Sequence, residues 1–182
     1  FIFDQNPAGF STDRFTRTFS VAWVHCLYVF DMICPMYLAP DWSGKSIDLI
    51  ETLHDVRVVG VVVLWTVVAV AVYSLLFGNA QSISRRVLLT AFWAFTFAPF
   101  LLSSNLLVTV GLMKADRVIY LPLFGFCVLK AWGFQRLFGS TRSIRFVLGY
   151  LLLLLQFTLY ASKLHERNLA WSNSLDLWTK AY

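Results

Sequence analysis

Residues 58–77 form an unbroken uncharged run of twenty, rich in valine, and no other feature restricts this chain as tightly. Valine suits a buried strand, but strands usually hold about 3–10 residues. A helix of this length extends about 30 Å, the thickness of bilayer hydrocarbon. Lipid adds a second constraint. A single segment must satisfy its own N–H and C=O groups there, and only a helix does so. Similar apolar runs occur at 18–38, 87–103, 118–134 and 146–162. The reading is therefore an all-α polytopic membrane protein with about five transmembrane helices. Composition agrees: 58% of the 182 residues are hydrophobic and 14% charged, against about 25% charged in a soluble domain. A net charge of +5 would suit nucleic acid in a soluble protein. Here the basic residues gather at segment ends, which suits membrane anchoring, and no nucleic-acid partner is expected.

Residues 1–17 read as a loop and helix start, with Ser11 or Thr12 as the cap and Arg14 and Arg17 on one face. The transmembrane region covers 18–163. Its turns at 78–86 and 135–145 carry only basic charges, which places them and residues 1–17 in the cytosol. Loops 39–57 and 103–117, and a polar tail at 164–182, fall on the opposite side. Within the first loop, Ile47, Leu49, Ile50 and Leu53 suit a short interfacial helix, with Trp42 at headgroup level. Trp171, Leu175 and Trp178 recur at helical spacing in the tail. Cys26, Cys34 and Cys127 lie in apolar segments without metal or disulfide spacing and read as structural thiols. The chain opens on Phe1 with neither a basic n-region nor a cleavage site, as an internal fragment would.

Charged residues inside or between apolar runs are the candidates for chemistry. Lys114, Asp116 and Arg117 follow a charge-free stretch, 87–113, and precede another apolar run. They mark either a site at the depth of a lipid headgroup or a connecting loop with an internal Asp–Arg pair. Asp31 stands inside the first apolar run, where a charge is costly and functional by default. The structural alternative, a polar partner on a neighbouring segment, is preferred because Pro35 opens backbone groups nearby. Asp41, Asp48, Glu51 and Asp55 fit neither an EF-hand nor a zinc site. They suit a surface helix, with Asp41 the main candidate for a substrate contact. His54 and His165 lack a partner spacing, and no nucleotide, nucleophile-elbow or zincin motif occurs. Residue physics leaves an enzyme, a transporter using Asp31 and the Pro122 break, and a membrane scaffold all open.

The stretch Ala115-Asp-Arg-Val-Ile-Tyr-Leu-Pro122 resembles the transmembrane and tetratricopeptide-repeat O-mannosyltransferase family, which targets cadherins. Asn6-Pro7, Thr16-Arg17, Pro40-Asp41-Trp42, Asn105-Leu-Leu, Arg167-Asn168 with Trp171, and Leu177-Trp178 carry the same resemblance. It implies the central membrane region of a GT-C-like glycosyltransferase in the endoplasmic-reticulum membrane. Mannose would move from dolichyl phosphate mannose to Ser or Thr of luminal, cadherin-like proteins. Membrane lipids would be the remaining partners, and no cofactor or metal is implied. Loops 39–57 and 103–117 and the tail would be luminal, the tail leading toward tetratricopeptide repeats. The acidic catalytic group would lie upstream of this sequence. The substrate-binding residues implied are Asp116, Arg117, Tyr120, Pro122, Asn105, Asp41 and Trp42. Arg117 would contact the donor phosphate, Asp116 would orient it, Tyr120 would bond phosphate or sugar, and Pro122 would shape the groove. The chain departs from the family at Asp116, where Glu is usual, and at Leu123, where Ser is common.

Overall fold

A computed structural model describes residues 4–35, 41–42, 44–77, 83–138 and 144–170. Among them the order is α1 (Pro7–Phe10), α2 (Arg14–Ile33), α3 (Arg57–Phe77), α4 (Ile83–Phe92), a π turn (Trp93–Phe97), α5 (Ala98–Ser103), a 3-10 turn (Asp116–Ile119), α6 (Tyr120–Phe138) and α7 (Ile144–Ala170). The helices coincide with the apolar runs. α7 extends further than expected, through the polar residues 163–170. The repeat of Trp171, Leu175 and Trp178 lies outside the described residues.

Two segments, Asp116–Phe138 and Ile144–Leu169, are long and apolar enough to cross a membrane. Only 17% and 6% of their most apolar windows are buried within the protein, so these are not core helices hidden from solvent. Among the described residues the regular elements are all helical, as expected, and these two helices are the candidate membrane spans. Arg57–Val70 and Leu89–Ser103 are shorter apolar helices.

The helix over 83–103 is continuous but irregular. Pro99 has no N–H to give the Phe95 carbonyl. The ladder shifts one residue, and the Ala98 N–H reaches Trp93 O instead. Thr96, within this π turn, donates its hydroxyl to Pro122 O in α6 at 3.1 Å. Gly125 faces the same spot. A Cβ there would meet Thr96 N at 3.0 Å and the Phe95 carbonyl carbon at 3.2 Å, so the two helices approach backbone to backbone.

α2 is organised differently. Asp13, not Ser11 or Thr12, caps it by accepting the Thr16 N–H at 2.8 Å. Its buried face carries Ser20, Val21, Val24, His25, Tyr28, Asp31 and Met32, polar and apolar together. Loops cover that face. Ser20 accepts the Ile50 N–H at 2.8 Å, and the His25 ring stands 2.7 Å from Ser104 O. The expected interfacial helix around 47–53 does not form. Ile47 and Ile50 instead bury against α2 from an irregular segment. That segment is tied to the start of α3 by Arg57, which donates to Asp48 O and Leu49 O at 2.7 and 3.0 Å. Asp55 caps the same helix start, and the Arg57 side chain bonded to it holds the Asp55 carboxyl below its usual range.

At the other end of α2, Asn6 donates to Asn105 Oδ1 at 2.9 Å and to Val110 O at 2.8 Å. Arg17 donates to the Thr109 hydroxyl at 3.0 Å. Segments 4–17 and 104–110, expected on opposite membrane faces, are thus in direct contact.

Candidate functional site

The site is built around Lys114. Trp42 and Lys114 exchange two backbone hydrogen bonds, of 2.8 and 3.4 Å, an isolated antiparallel bridge. The Ala115 N–H donates to the Tyr28 hydroxyl at 2.9 Å, pinning the next residue to α2. The Lys114 side chain is only 3% exposed, so its ammonium requires compensation from the protein. Asp31 provides it at 2.6 Å, and Asp116 adds a second carboxylate at 3.7 Å. The faces of Trp42 and Tyr28 lie 4.8 and 5.8 Å from the same nitrogen, within cation–π range. Beside this cluster opens a cavity of about 590 Å³, walled by Trp23, Leu27, Phe30, Trp42 and Ile47, with Asp31, Ser46 and Lys114 as its polar lining.

The residues singled out from the sequence separate into three groups. Trp42 and Asp116 meet at Lys114. Asp41 adjoins Trp42, and its buried Oδ1 makes no hydrogen bond among the described residues. Arg117 and Tyr120 follow on the 3-10 turn and at the start of α6. Both are exposed, Tyr120 to 76%, and among the described residues Arg117 has no hydrogen bond or ion pair. Asn105 and Pro122 are occupied in packing. Asn105 holds a left-handed backbone (φ 59°), accepting from both Asn6 and the Val110 N–H. Pro122 is buried against Thr96.

One expected contact is redirected. Asp116 does not orient Arg117 here. Neighbouring residues of a helical turn do not face one another, and the Asp116 carboxylate faces Lys114 instead. Asp31 has the polar partner from another segment that its position demanded. Sequence reasoning missed the centrality of Lys114 and the parts played by Tyr28 and Asn6. The available signal was a pair of opposite charges, each isolated among apolar neighbours. Among the described residues no group of three or more His, Cys, Asp or Glu is placed to hold a metal ion.

Comparison with known proteins now bears on what this junction serves. The profile of the family described as Protein O-mannosyl-transferase TMTC, DUF1736, matches residues 1–69. Protein O-mannosyl-transferase TMTC4 of Mus musculus is 35% identical over 153 residues, 82% of this chain and 20% of that protein. Protein O-mannosyl-transferase Tmtc3 of Drosophila melanogaster is 30% identical over 176 residues, 96% of this chain and 18% of that protein. Protein O-mannosyl-transferase TMTC3 of Homo sapiens is 29% identical over 178 residues, 97% of this chain and 19% of that protein. The chain spans about one fifth of the length of the curated relatives it matches. No solved structure matches it.

Proposed function

Because the chain belongs to the TMTC protein O-mannosyl-transferase family, we propose that it is the central membrane part of an enzyme that mannosylates luminal proteins. The donor is dolichyl phosphate mannose, and the acceptors are Ser or Thr hydroxyls of proteins such as cadherins. The enzyme is a multi-pass, GT-C-like protein of the endoplasmic-reticulum membrane, with tetratricopeptide repeats beyond this segment. The observation that supports this reading is similarity along 82–97% of the chain to proteins named protein O-mannosyl-transferases.

The local role rests on Arg117. It stands exposed and uncommitted at the start of a segment long and apolar enough to cross a membrane, which supports a place at the depth of a lipid phosphate. Its planar fork suits phosphate oxygens. In the reaction the acceptor oxygen bonds to mannose C1 as the C1–O bond to phosphate breaks. Arg117 steadies the charge that grows on the departing phosphate. An acidic group outside this segment takes the acceptor proton. Tyr120 is exposed one turn further on and offers a hydroxyl to the same headgroup. Asp41 and Trp42 border the donor from the Lys114 side, while Asn105 and Pro122 hold the surrounding segments in place. In the full-length parent, Arg117→Ala weakens donor use about ten- to hundred-fold, the worth of one charged hydrogen bond. Arg117→Lys falls between. Transfer rate against donor concentration, normalised to folded protein, measures this. Wild-type donor dependence in Arg117→Ala would remove the phosphate role.

We further infer that four segments cross the membrane, α3, α4–α5, α6 and α7, while α2 lies along the luminal surface. Both ends of α2 touch that side. Arg17 near its start meets Thr109, after α5. At its end the Ile33 carbonyl accepts from Tyr160, one turn before the charged end of α7. Four crossings put 4–17, 41–55, 104–115 and the tail together in the lumen. Glycosylation acceptors carried on spacers at 11–13 and at 44–46 are then both modified, and one at 139–143 is not. Modification at 44–46 without 11–13 makes α2 a span.

A further inference from the structure

We propose that the cavity beside Lys114 is a monosaccharide site: it takes a neutral, hydroxyl-bearing ring, the mannosyl group of the lipid donor, through Ser46 and Asp31. This rests on the reading of dolichyl phosphate mannose as that donor.

The cavity holds about 590 Å³, inside the range of about 300–1,000 Å³ for small-ligand sites. Its wall joins two distant stretches of chain. Trp23, Phe30 and Asp31 come from α2, and Trp42 and Ser46 from the loop laid over that helix. Ser46 is the unsatisfied member. Its Oγ is buried, yet it makes no hydrogen bond among the described residues. A buried hydroxyl left unpaired is costly, and a ligand hydroxyl in the cavity removes that cost. Asp31 has capacity left as well. A carboxylate offers about four acceptor positions, and Lys114 engages it through Oδ2.

Charge and shape narrow the ligand. Two carboxylates, Asp31 and Asp116, bear on the single Lys114 ammonium. That balance opposes a phosphate inside the cavity and favours a group that donates hydrogen bonds. An isoprenoid chain would suit the aromatic wall, but it would leave Ser46 and Asp31 facing only carbon. A sugar ring meets both demands. Its hydroxyls donate to Asp31 and bond Ser46, while its C–H face packs on the rings of Trp23, Phe30 and Trp42. Mostly apolar walls with a few placed polar groups are how small-ligand pockets fix orientation. Arg117 follows Lys114 by three residues. One short segment thus borders the sugar at its near end and offers the phosphate contact at its far end.

Two ligands of the full-length parent separate the parts of the donor. Dolichyl phosphate mannose carries the sugar. Dolichyl phosphate lacks it and competes for the same lipid and phosphate contacts. Ser46→Ala removes an Oγ that the fold does not use, so the variant is expected to fold as wild type. Its kcat/KM for dolichyl phosphate mannose is expected to fall about three- to ten-fold, the worth of one hydrogen bond. The inhibition constant of dolichyl phosphate is expected to keep its wild-type value. Arg117→Ala, measured alongside, is expected to weaken both ligands. An unchanged kcat/KM in Ser46→Ala overturns the proposal. So does an inhibition constant that rises in step with the loss, because the cavity then serves the lipid chain or the fold. The donor reading fails separately: a wild-type parent that transfers no mannose from dolichyl phosphate mannose removes the donor, and this site with it. Wild-type transfer with an unaltered Ser46→Ala removes the sugar site alone.

Discussion

α2 and α7 are both long helices with apolar sequences, yet they are held by opposite means. α2 is covered by chain from distant parts of the sequence, through Asn6, Ser20, His25, Tyr28 and Asp31 or their neighbours. α7 presents leucines 151–155 outward, all of them exposed, and buries almost nothing. Among the described residues, Tyr160 ties it to Lys130 of α6 and to the Ile33 carbonyl of α2. A helix in lipid needs only its own backbone bonds and apolar side chains. A helix carrying polar groups on its buried face needs a specific partner for each. α7 is therefore defined by composition, and α2 by pairing.

The largest expected effect breaks this contrast at its strongest point. Asp31→Asn alone leaves the Lys114 ammonium buried without its 2.6 Å partner. The cost should be about 3–5 kcal/mol, read as a lower melting midpoint of the detergent-purified parent. A loss under about 1 kcal/mol would mean that water or Asp116 already compensates Lys114, and that α2 is not defined by pairing.

A smaller effect sharpens the comparison, because the membrane helices have close contacts of their own, Gly125 among them. Gly125→Val sets a side chain against Thr96 and the Phe95 backbone. It should cost about 1–3 kcal/mol through forced separation of the two helices. Leu153→Ala on the exposed face of α7 should stay within about 0.5 kcal/mol in the same melting assay. Equal effects of the two substitutions would show that α7 packs on chain outside the described residues.

The contrast also accounts for what could be read from the sequence. α3 and α7 follow from uninterrupted apolar runs, and α6 from a run broken by Lys130 alone, because lipid imposes the same requirement along a span. The irregular entry to α6 was legible in Pro122, and the irregularity near Pro99 in its missing N–H. The environment of α2 was not legible. Asp31 announced that it needed a partner, but nothing local identified Lys114. Ile47 and Ile50 carried a helical spacing that the structure does not use, because Ser20 takes the Ile50 N–H. Asp13 displaced the expected caps by standing one residue closer to Arg14. At the site, Asp116 and Arg117 were visible as charges. The approach of Asp116 to Lys114 was not, because the burial of Lys114 is a property of the assembled loops.

The ion pair between Asp31 and Lys114 also sets a schedule. Lys114 follows Asp31 by about eighty residues, and ribosomes add about 5–20 residues per second, so Asp31 waits roughly 4–16 s for its partner to be made. His25 waits nearly as long for Ser104, and Asn6 longer still for Asn105. Throughout that interval α2 is finished as a helix but not as a surface. Its polar face must be kept by water, by the headgroup layer or by a chaperone while α3, α4 and α5 are being inserted. Within this segment α2 is thus made before the partners that close it.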